Sequence, residues 1–312
     1  MTRVVVTGST GRLGRAIVAA IEARPGWQAI PWTRADFDLD ATSPTELRQG
    51  LERDAPDAVV HCAAWTDVDG CAREPNIAER RNGRATGLLA ESTSRLGIGL
   101  VAVSTNEVFD GQRTDQRPYD VTDTPAPGNA YGRSKRLGEE LAASAYATAS
   151  APLWIVRTAW LFGPPGADFP AKIARAARNA AGAGQALRLV ADEFGSPTAC
   201  ADLASAIVDL TGSPGSAGIH HVVNAGVTSR AGWAREILRA LRITVETIDV
   251  SIDEWPRPSS PPRWGALATT SLPTLGRLRS WLEAVRADLQ TRSDLETPAI
   301  EAGDAPLAAA GQ

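Results

Sequence analysis

Two side chains in the stretch NAYGRSKRLGEE could handle a proton together. Tyr131 lies four residues before Lys135, and on a helix that spacing stacks both side chains on one face. A phenol is a poor acid near neutrality, with an ordinary pKa of about 10, and an adjacent positive charge stabilises its phenolate and lowers that value. The expectation is a tyrosine that can deliver a proton, made competent by an ammonium. The lysine is conspicuous in its own right: of 32 basic residues only Lys135 and Lys172 are lysine. A compact ammonium can donate to two neighbouring hydroxyls at once, a role the longer, forked guanidinium does not fill. In isolation a Y-x-x-x-K pair is as well explained by a half-buried aromatic beside a solvated cation. Its order in the chain, after a glycine-rich turn and after VSTNEVFDG, makes it specific.

The glycine-rich turn is VVVTGSTGRLGRAI, a strand running into Gly8, Gly11 and Gly14 and then into a helix. Glycine is needed where a chain turns tightly and where backbone approaches a pyrophosphate, and the following helix N-terminus offers unpaired N–H groups to the phosphates. Placed after the first strand of a βαβ unit, the loop reads as a dinucleotide site rather than a plain tight turn. At the end of the second strand, PWTRADFDLD carries Arg34 with no acid at the strand tip. A cation there accommodates a 2′-phosphate, which inclines the choice between NADPH and NADH toward NADPH; a solvated loop arginine is the alternative.

Positioning these groups requires a sheet. Short β-branched runs, RVVVTG, WQAIPW, DAVVHCAA, GLVAVST and LWIVRTAW, alternate with longer helical segments, the rhythm of a parallel sheet with crossover helices. Strands buried on both faces read as unbroken apolar runs, as VVV and AVV do. The fold expected is α/β: a Rossmann-type doubly wound parallel sheet over residues 1–160, with a smaller C-terminal α/β substrate lobe over 161–290, not strictly contiguous. Helices near 168–183, 201–210 and 229–241 and short strands near Leu187 and His220 read as that lobe. The last segment, 291–312, has the composition of a disordered tail. At 312 residues and 43% hydrophobic content the chain can bury a large core. A net charge of -4 offers no basic face for nucleic acid. No segment reaches the roughly 18 apolar residues of a membrane span, and the N-terminus lacks a signal-peptide pattern, so a cytoplasmic protein is expected. Three scattered cysteines, Cys62, Cys71 and Cys200, suggest neither disulfides nor a zinc site, and no metal is expected.

Together these motifs resemble the extended short-chain dehydrogenase/reductases, and within them the dTDP-4-dehydrorhamnose reductase branch. TGSTGRLG, HCAAWTDVDGCA, VSTNEVFDG, NAYGRSKRLGEE, VRTAWLFGP and LVADEFGSPT carry the resemblance over most of the chain. It implies a catalytic triad of Thr105, Tyr131 and Lys135. It implies Gly8, Thr10, Gly11, Arg12, Leu13 and Gly14 around the cofactor pyrophosphate, Asp38 and Leu39 beside the adenine, and Ala63, Ala64 and Thr66 along the cofactor. Val68, Asp69, Thr105, Asn106, Glu107 and Trp160 fall at substrate positions. The implied reaction is hydride transfer from NADPH or NADH to C4 of a nucleoside-diphosphate 4-keto-6-deoxyhexose, with Tyr131 and Thr105 donating to the carbonyl oxygen, Tyr131 giving up its proton, and Lys135 orienting the nicotinamide ribose.

Departures from the branch pattern are informative. The branch usually has Asp-Tyr where this chain has Asn106 and Glu107, so either the sugar specificity is altered or the two changes compensate each other. Ala16 and Ala201 stand near positions where some relatives place acids for a metal between subunits, which argues against a metal-bridged dimer and leaves a monomer or a differently built homodimer. Asn82 matches a family asparagine, preceded by Arg81 instead of valine, in a helix read as structural. His220 and His221, neighbours in a strand, point to opposite faces and are poor co-ligands; His61 reads as packing under the cofactor. Asp192 and Glu193 read as substrate-loop residues rather than an acid/base pair, and either Arg257 or Arg263 could face a diphosphate. Two other readings remain: a non-catalytic nucleotide-binding partner module, as in the regulatory subunit of methionine adenosyltransferase, and a nucleotide-sugar epimerase or dehydratase using Glu107.

Overall fold

Val4, Val5 and Val6 are fully buried, yet they belong to two different cores. Successive side chains of a strand point to opposite faces, so a run of three buried valines marks a sheet covered on both sides. The computed structural model, which describes residues 1–292 and Leu295, shows that sheet. Its strands are β1 (Thr2–Thr7), β2 (Trp27–Trp32), β3 (Ala58–His61), β4 (Gly99–Thr105), β5 (Leu153–Thr158) and β6 (Gly218–His221). They pair in the order β6-β5-β4-β3-β1-β2, and every pair is parallel. The order reverses between β1 and β3, and the crevice above such a switch point is where a doubly wound sheet binds its ligand.

On one face Val4, Val6, Val60, Val101 and Val156 pack against helix α1 (Arg12–Glu22), through Ile17 and Ile21, and a helix at Cys200–Thr211, through Leu203 and Ile207. On the other, Val5, Val59 and Leu100 meet Trp32, Leu47, Leu89 and Tyr146. Rossmann-type architecture is thereby established. The smaller core gathers Phe162, Phe169, Trp233, Ile237, Trp281, Val285 and Leu289, with a two-stranded pairing of Leu187–Val190 and Thr247–Val250 alongside.

Two segments expected in the lobe belong to the main sheet. Gly218–His221 pairs with β5 as the edge strand, and Cys200–Thr211 covers the sheet beside α1. Both follow from the chain returning to the sheet after a first excursion, which contiguous reading cannot detect. His220 and His221 do face opposite ways, one bonded to Ser216 and the other to the Tyr119 carbonyl. Most of the expected tail lies outside the described residues. Its start does not fit a tail: Arg292 is buried, 2.6 Å from the Asp168 carboxylate, and Leu295 is buried in the smaller core. Among the described residues, no helix is long and apolar enough to cross a membrane.

Candidate active site

A cleft of about 590 Å³ opens above the switch point. Its first wall is the loop after β1. Gly8 sits at φ +64°, and a Cβ there would lie 2.8 Å from the Ala63 nitrogen; a Cβ on Gly14 would lie 2.2 Å from the Gly8 carbonyl oxygen. Both glycines are therefore required by close backbone approach. Helix α1 begins at Gly11 with no side-chain cap and no acid in its first turn, and Gly11, Arg12, Leu13 and Gly14 line the cleft with Gly8 and Thr10. An uncapped helix start beside crowded glycines, facing the small Ala63 and Ala64 across the gap, fits a pyrophosphate. Thr66 lines the same stretch. The Arg12 side chain is directed elsewhere: its Nε donates to the Gly163 carbonyl at 2.6 Å, tying the loop to the lobe.

The end of the cleft beside β2 carries paired charges. Arg34, largely exposed, bonds Asp38 at 3.0 Å, and Asp40 is held by Arg80 and Arg81. The backbone N–H of Asp40, and then Arg34, hold the Asp38 carboxyl below its ordinary range. Arg34, Asp38, Leu39 and Arg81 all line the cleft. Arg81 also lies 5.1 Å over the Trp65 ring, so the residue replacing the family valine adds a second cation at this end.

Thr105, Tyr131 and Lys135 meet at the other end. Thr105 closes β4, and the helix Ala130–Tyr146 starts beside it, capped by Asn129, whose Oδ1 accepts from the Gly132 N–H at 2.8 Å. That cap sets Tyr131 in the first turn and Lys135 one turn on, both on the cleft wall. The expectation that the ammonium lowers the phenol pKa is not met in this arrangement. Burial first, then Glu107 and Cys71, raise the Tyr131 phenol above its ordinary value, with a hydrogen bond from Thr105 pulling the other way. Burial likewise pushes Lys135 down to about 8, opposed by the Glu139 carboxylate.

Beneath them His61 bonds Thr7 at 2.8 Å and Thr86 at 3.1 Å, and burial pushes it down to about 3, so it is a neutral support. Asn82 bonds both Trp65 backbone groups and the Ser134 hydroxyl, joining the loop after β3 to the helix that carries Tyr131. Its segment, Glu79–Arg84, is π-helical.

Asn106 and Glu107 take different positions. The Asn106 amide donates to the Gly265 carbonyl at 3.1 Å and accepts from the Thr105 hydroxyl at 3.3 Å, and a Cβ on Gly265 would lie 2.4 Å from that amide nitrogen. An asparagine here is a clasp to the end of a proline-rich loop, EWPRPSSPPRW at residues 254–264, as well as a cleft residue. Glu107 accepts from Asn129 at 2.6 Å, and burial pushes its carboxyl up to about 7.

Of the remaining expected residues, Val68 and Trp160 line the cleft and Asp69 does not. Asp69 is occupied by Arg257 at 3.0 Å and by the Ser259 backbone and hydroxyl, so it anchors the proline-rich loop. Arg263 pairs with Asp192 and Asp253. Neither Arg257 nor Arg263 reaches the cleft wall; Arg230 does. It lies 3.7 Å over the Trp160 ring and 3.0 Å from Glu193, with Trp233 stacked behind Trp160. Asp192 and Glu193 thus serve separate arginines. Arg230 and Trp233 were not singled out from sequence, and Arg81 was noted only as a departure from the family valine in a helix read as structural; the i, i+3 spacing of Arg230 and Trp233 on one helix face was the available signal.

A family model described as the RmlD substrate binding domain matches residues 1–293. The dTDP-4-dehydrorhamnose reductase of Mycobacterium tuberculosis (strain H37Rv) is 36% identical over 295 residues, 92% of this chain and 92% of that protein. The spore coat polysaccharide biosynthesis protein SpsK of Bacillus subtilis is 33% identical over 94% of this chain and 99% of its own length. Among solved structures, a dTDP-4-dehydrorhamnose reductase from Bacillus anthracis in complex with NADP has a TM-score of 0.83 at 29% identity, covering 93% of this chain and 99% of that one. With the glycine loop, the Thr-Tyr-Lys convergence and similarity over nearly its whole length, the chain belongs to the dTDP-4-dehydrorhamnose reductase (RmlD) family of extended short-chain dehydrogenase/reductases.

Proposed function

We propose that this protein reduces the 4-keto group of a nucleoside-diphosphate 4-keto-6-deoxyhexose, using NADPH, in the biosynthesis of dTDP-L-rhamnose or a related deoxysugar. The observation that carries the reading is the convergence of Thr105, Tyr131 and Lys135 on one cleft whose far end is the glycine loop. NADPH, when bound, supplies the hydride. Gly8, Gly11, Gly14 and the start of α1 would hold its pyrophosphate, and Arg34 with Arg81 its 2′-phosphate. Charge develops on the carbonyl oxygen as the bond order falls, and donors fixed at that oxygen stabilise it. Tyr131 gives its proton there and Thr105 donates alongside. The phenol is protonated at neutral pH, as any tyrosine is, but burial makes it a weaker acid than usual, so the step depends on donors fixed at the developing oxyanion rather than on phenol acidity. Lys135 donates to the nicotinamide ribose. Trp160, backed by Arg230 and Trp233, forms the sugar-side wall.

Asn106 and Glu107 support a sugar pattern other than that read by Asp-Tyr. The amide N–H is already committed to Gly265, and Glu107, one of whose oxygens accepts from Asn129, has its second oxygen to offer to a hydroxyl. Monomer or homodimer without a bridging metal is the assembly proposed, since Ala16 and Ala201 supply no ligand; the cytoplasm is the proposed location. The reductase reading is tested by oxidation of NADPH and of NADH with dTDP-4-dehydro-L-rhamnose. Turnover is expected, lost by about 10²–10⁴-fold in Tyr131→Phe and also lost in Lys135→Ala. Tight cofactor binding with no turnover of this or a panel of 4-keto sugars would refute it in favour of a binding module.

A further inference from the structure

We infer that Glu139 is a positioning residue for the proposed reduction: its buried carboxylate ties the strand ending in Thr105 to the helix of Tyr131 and Lys135, and sets a negative charge one helical turn from the Lys135 ammonium. The inference rests on the reductase reading for its functional meaning, but its physical content can be measured without turnover.

Glu139 follows Lys135 by four residues on one helix, so the two side chains share a face. It is 3% exposed. Oε1 accepts from the Ser104 hydroxyl at 2.6 Å and from Arg157 Nε at 2.9 Å; Oε2 accepts from Arg157 Nη2 at 2.7 Å and from Arg136 at 3.0 Å. Ser104 immediately precedes Thr105 at the end of β4, and Arg157 occupies the corresponding place in β5. A single carboxylate therefore holds two strand ends and the proton-donating helix in one register. Arg157 is packed under the Phe109 ring at 5.3 Å, with His221 3.4 Å away, so the pair has no room to swing.

The charge environment of Lys135 is sparse. From β3 it is faced by His61, kept neutral by burial, and by Cys62, whose buried thiol is pushed up to about 12 and is also neutral. Tyr131, on its own helix, holds its proton. Among the described residues, Glu139 is the anion acting on the ammonium, with Arg157 and Arg136 behind it. Replacing Glu139 with glutamine removes that anion and leaves the Arg157 charge unbalanced, and both changes drive Lys135 toward the neutral amine. Removing Arg136 instead frees the carboxylate to act on Lys135 more strongly.

With only two lysines in the chain, selective ¹³C labelling of lysine side chains gives two signals, and Lys172→Arg leaves Lys135 alone. In the full protein Lys135 is expected to titrate at about 8. Glu139→Gln should lower that by about one unit, a tenfold loss of the charged form at a fixed pH above it. Arg136→Gln, at a partly exposed position, should raise it. A purely structural role predicts the opposite for Glu139→Gln, because loosening admits water and returns the ammonium toward its ordinary 10.5. An unchanged or raised Lys135 titration in Glu139→Gln overturns the inference. Should that variant not fold, Arg136→Gln decides: an upward shift supports the inference and no shift overturns it. The alkaline limb of kcat/KM must move with the titration. Absence of turnover in the wild type would refute the reductase reading while leaving the titration to decide the role of Glu139.

Discussion

Gly132→Ala should inactivate the protein through one methyl group. Gly132 follows Tyr131 in the first turn of its helix, and a Cβ there would lie 2.0 Å from the Glu107 carbonyl oxygen and 2.8 Å from its carbon. Ordinary contact begins at 3.4 Å, so the shortfall is about 1.4 Å, and both obstructing atoms are backbone that no rotamer can move. The helix start must separate from the end of β4, carrying Tyr131 away from Thr105. Overpacking of this kind costs about 1–3 kcal/mol, and a misplacement near 1 Å at a reaction centre costs about 10²-fold in rate. Steady-state oxidation of NADPH should show kcat reduced by about 100-fold. Cofactor affinity, measured by quenching of tryptophan fluorescence, should change little, because the glycine loop stands on another wall. Gly182→Ala is the control: its Cβ would meet nothing within 4 Å, so activity should be unaffected. A Gly132→Ala variant with kcat within about threefold of wild type would refute the proposed geometry of the Thr105–Tyr131 pair.

Glu107 has a folded pKa raised from 4.5 to about 7. Its contribution to stability is therefore fully present below 4.5 and lost as pH rises through 7. Melting temperatures between pH 5 and 8 should fall more steeply for wild type than for Glu107→Gln, and parallel curves would contradict the assignment. Asn106→Asp restores the family residue but sets a carboxylate against the Gly265 carbonyl; a loss of about 1–3 kcal/mol in urea denaturation is expected, and an unchanged midpoint would show that the clasp is dispensable. Asp168→Asn keeps an acceptor for the Ala171 N–H but removes the carboxylate from Arg292. Denaturation should register a loss of about 3 kcal/mol, and a change below about 0.5 kcal/mol would mean the buried pair is immaterial.

The sheet was legible where burial leaves a mark on consecutive residues. Val4–Val6 and Val59–Val60 had to be buried on both faces, and Gly8 and Gly14 had to be glycine because backbone passes within 3 Å of where a Cβ would be. Tyr131 and Lys135 were legible because helix geometry converts a spacing of four into a shared face. What was hidden depends on partners distant in sequence. Asn106 and Gly265 are 159 residues apart, and Asp69 reads as a cleft residue until Arg257 and Ser259, 188 and 190 residues on, are seen to occupy it. Gly218–His221 is a short edge strand whose Ile219 is partly exposed, so it lacks the unbroken apolar signal of the central strands. Arg230 was concealed by composition, since thirty of the 32 basic residues are arginine and none stands out by type. The phenol of Tyr131 went the other way from expectation because spacing reports direction and says nothing about desolvation.

The return of Gly218–His221 to the edge of the main sheet has a consequence for how such a protein can be altered. The chain leaves the sheet after β5, comes back for Cys200–Thr211 and β6, and leaves again for the helices that finish the smaller core. No single cut separates the main sheet and its covering helices from the smaller core. A chimera that exchanges sugar preference between relatives must therefore be spliced at several junctions, or be made by point changes around Asn106, Glu107 and Arg230. Recombination at one breakpoint would break the sheet edge before it transferred a specificity, so the two ends of the cleft are inherited together.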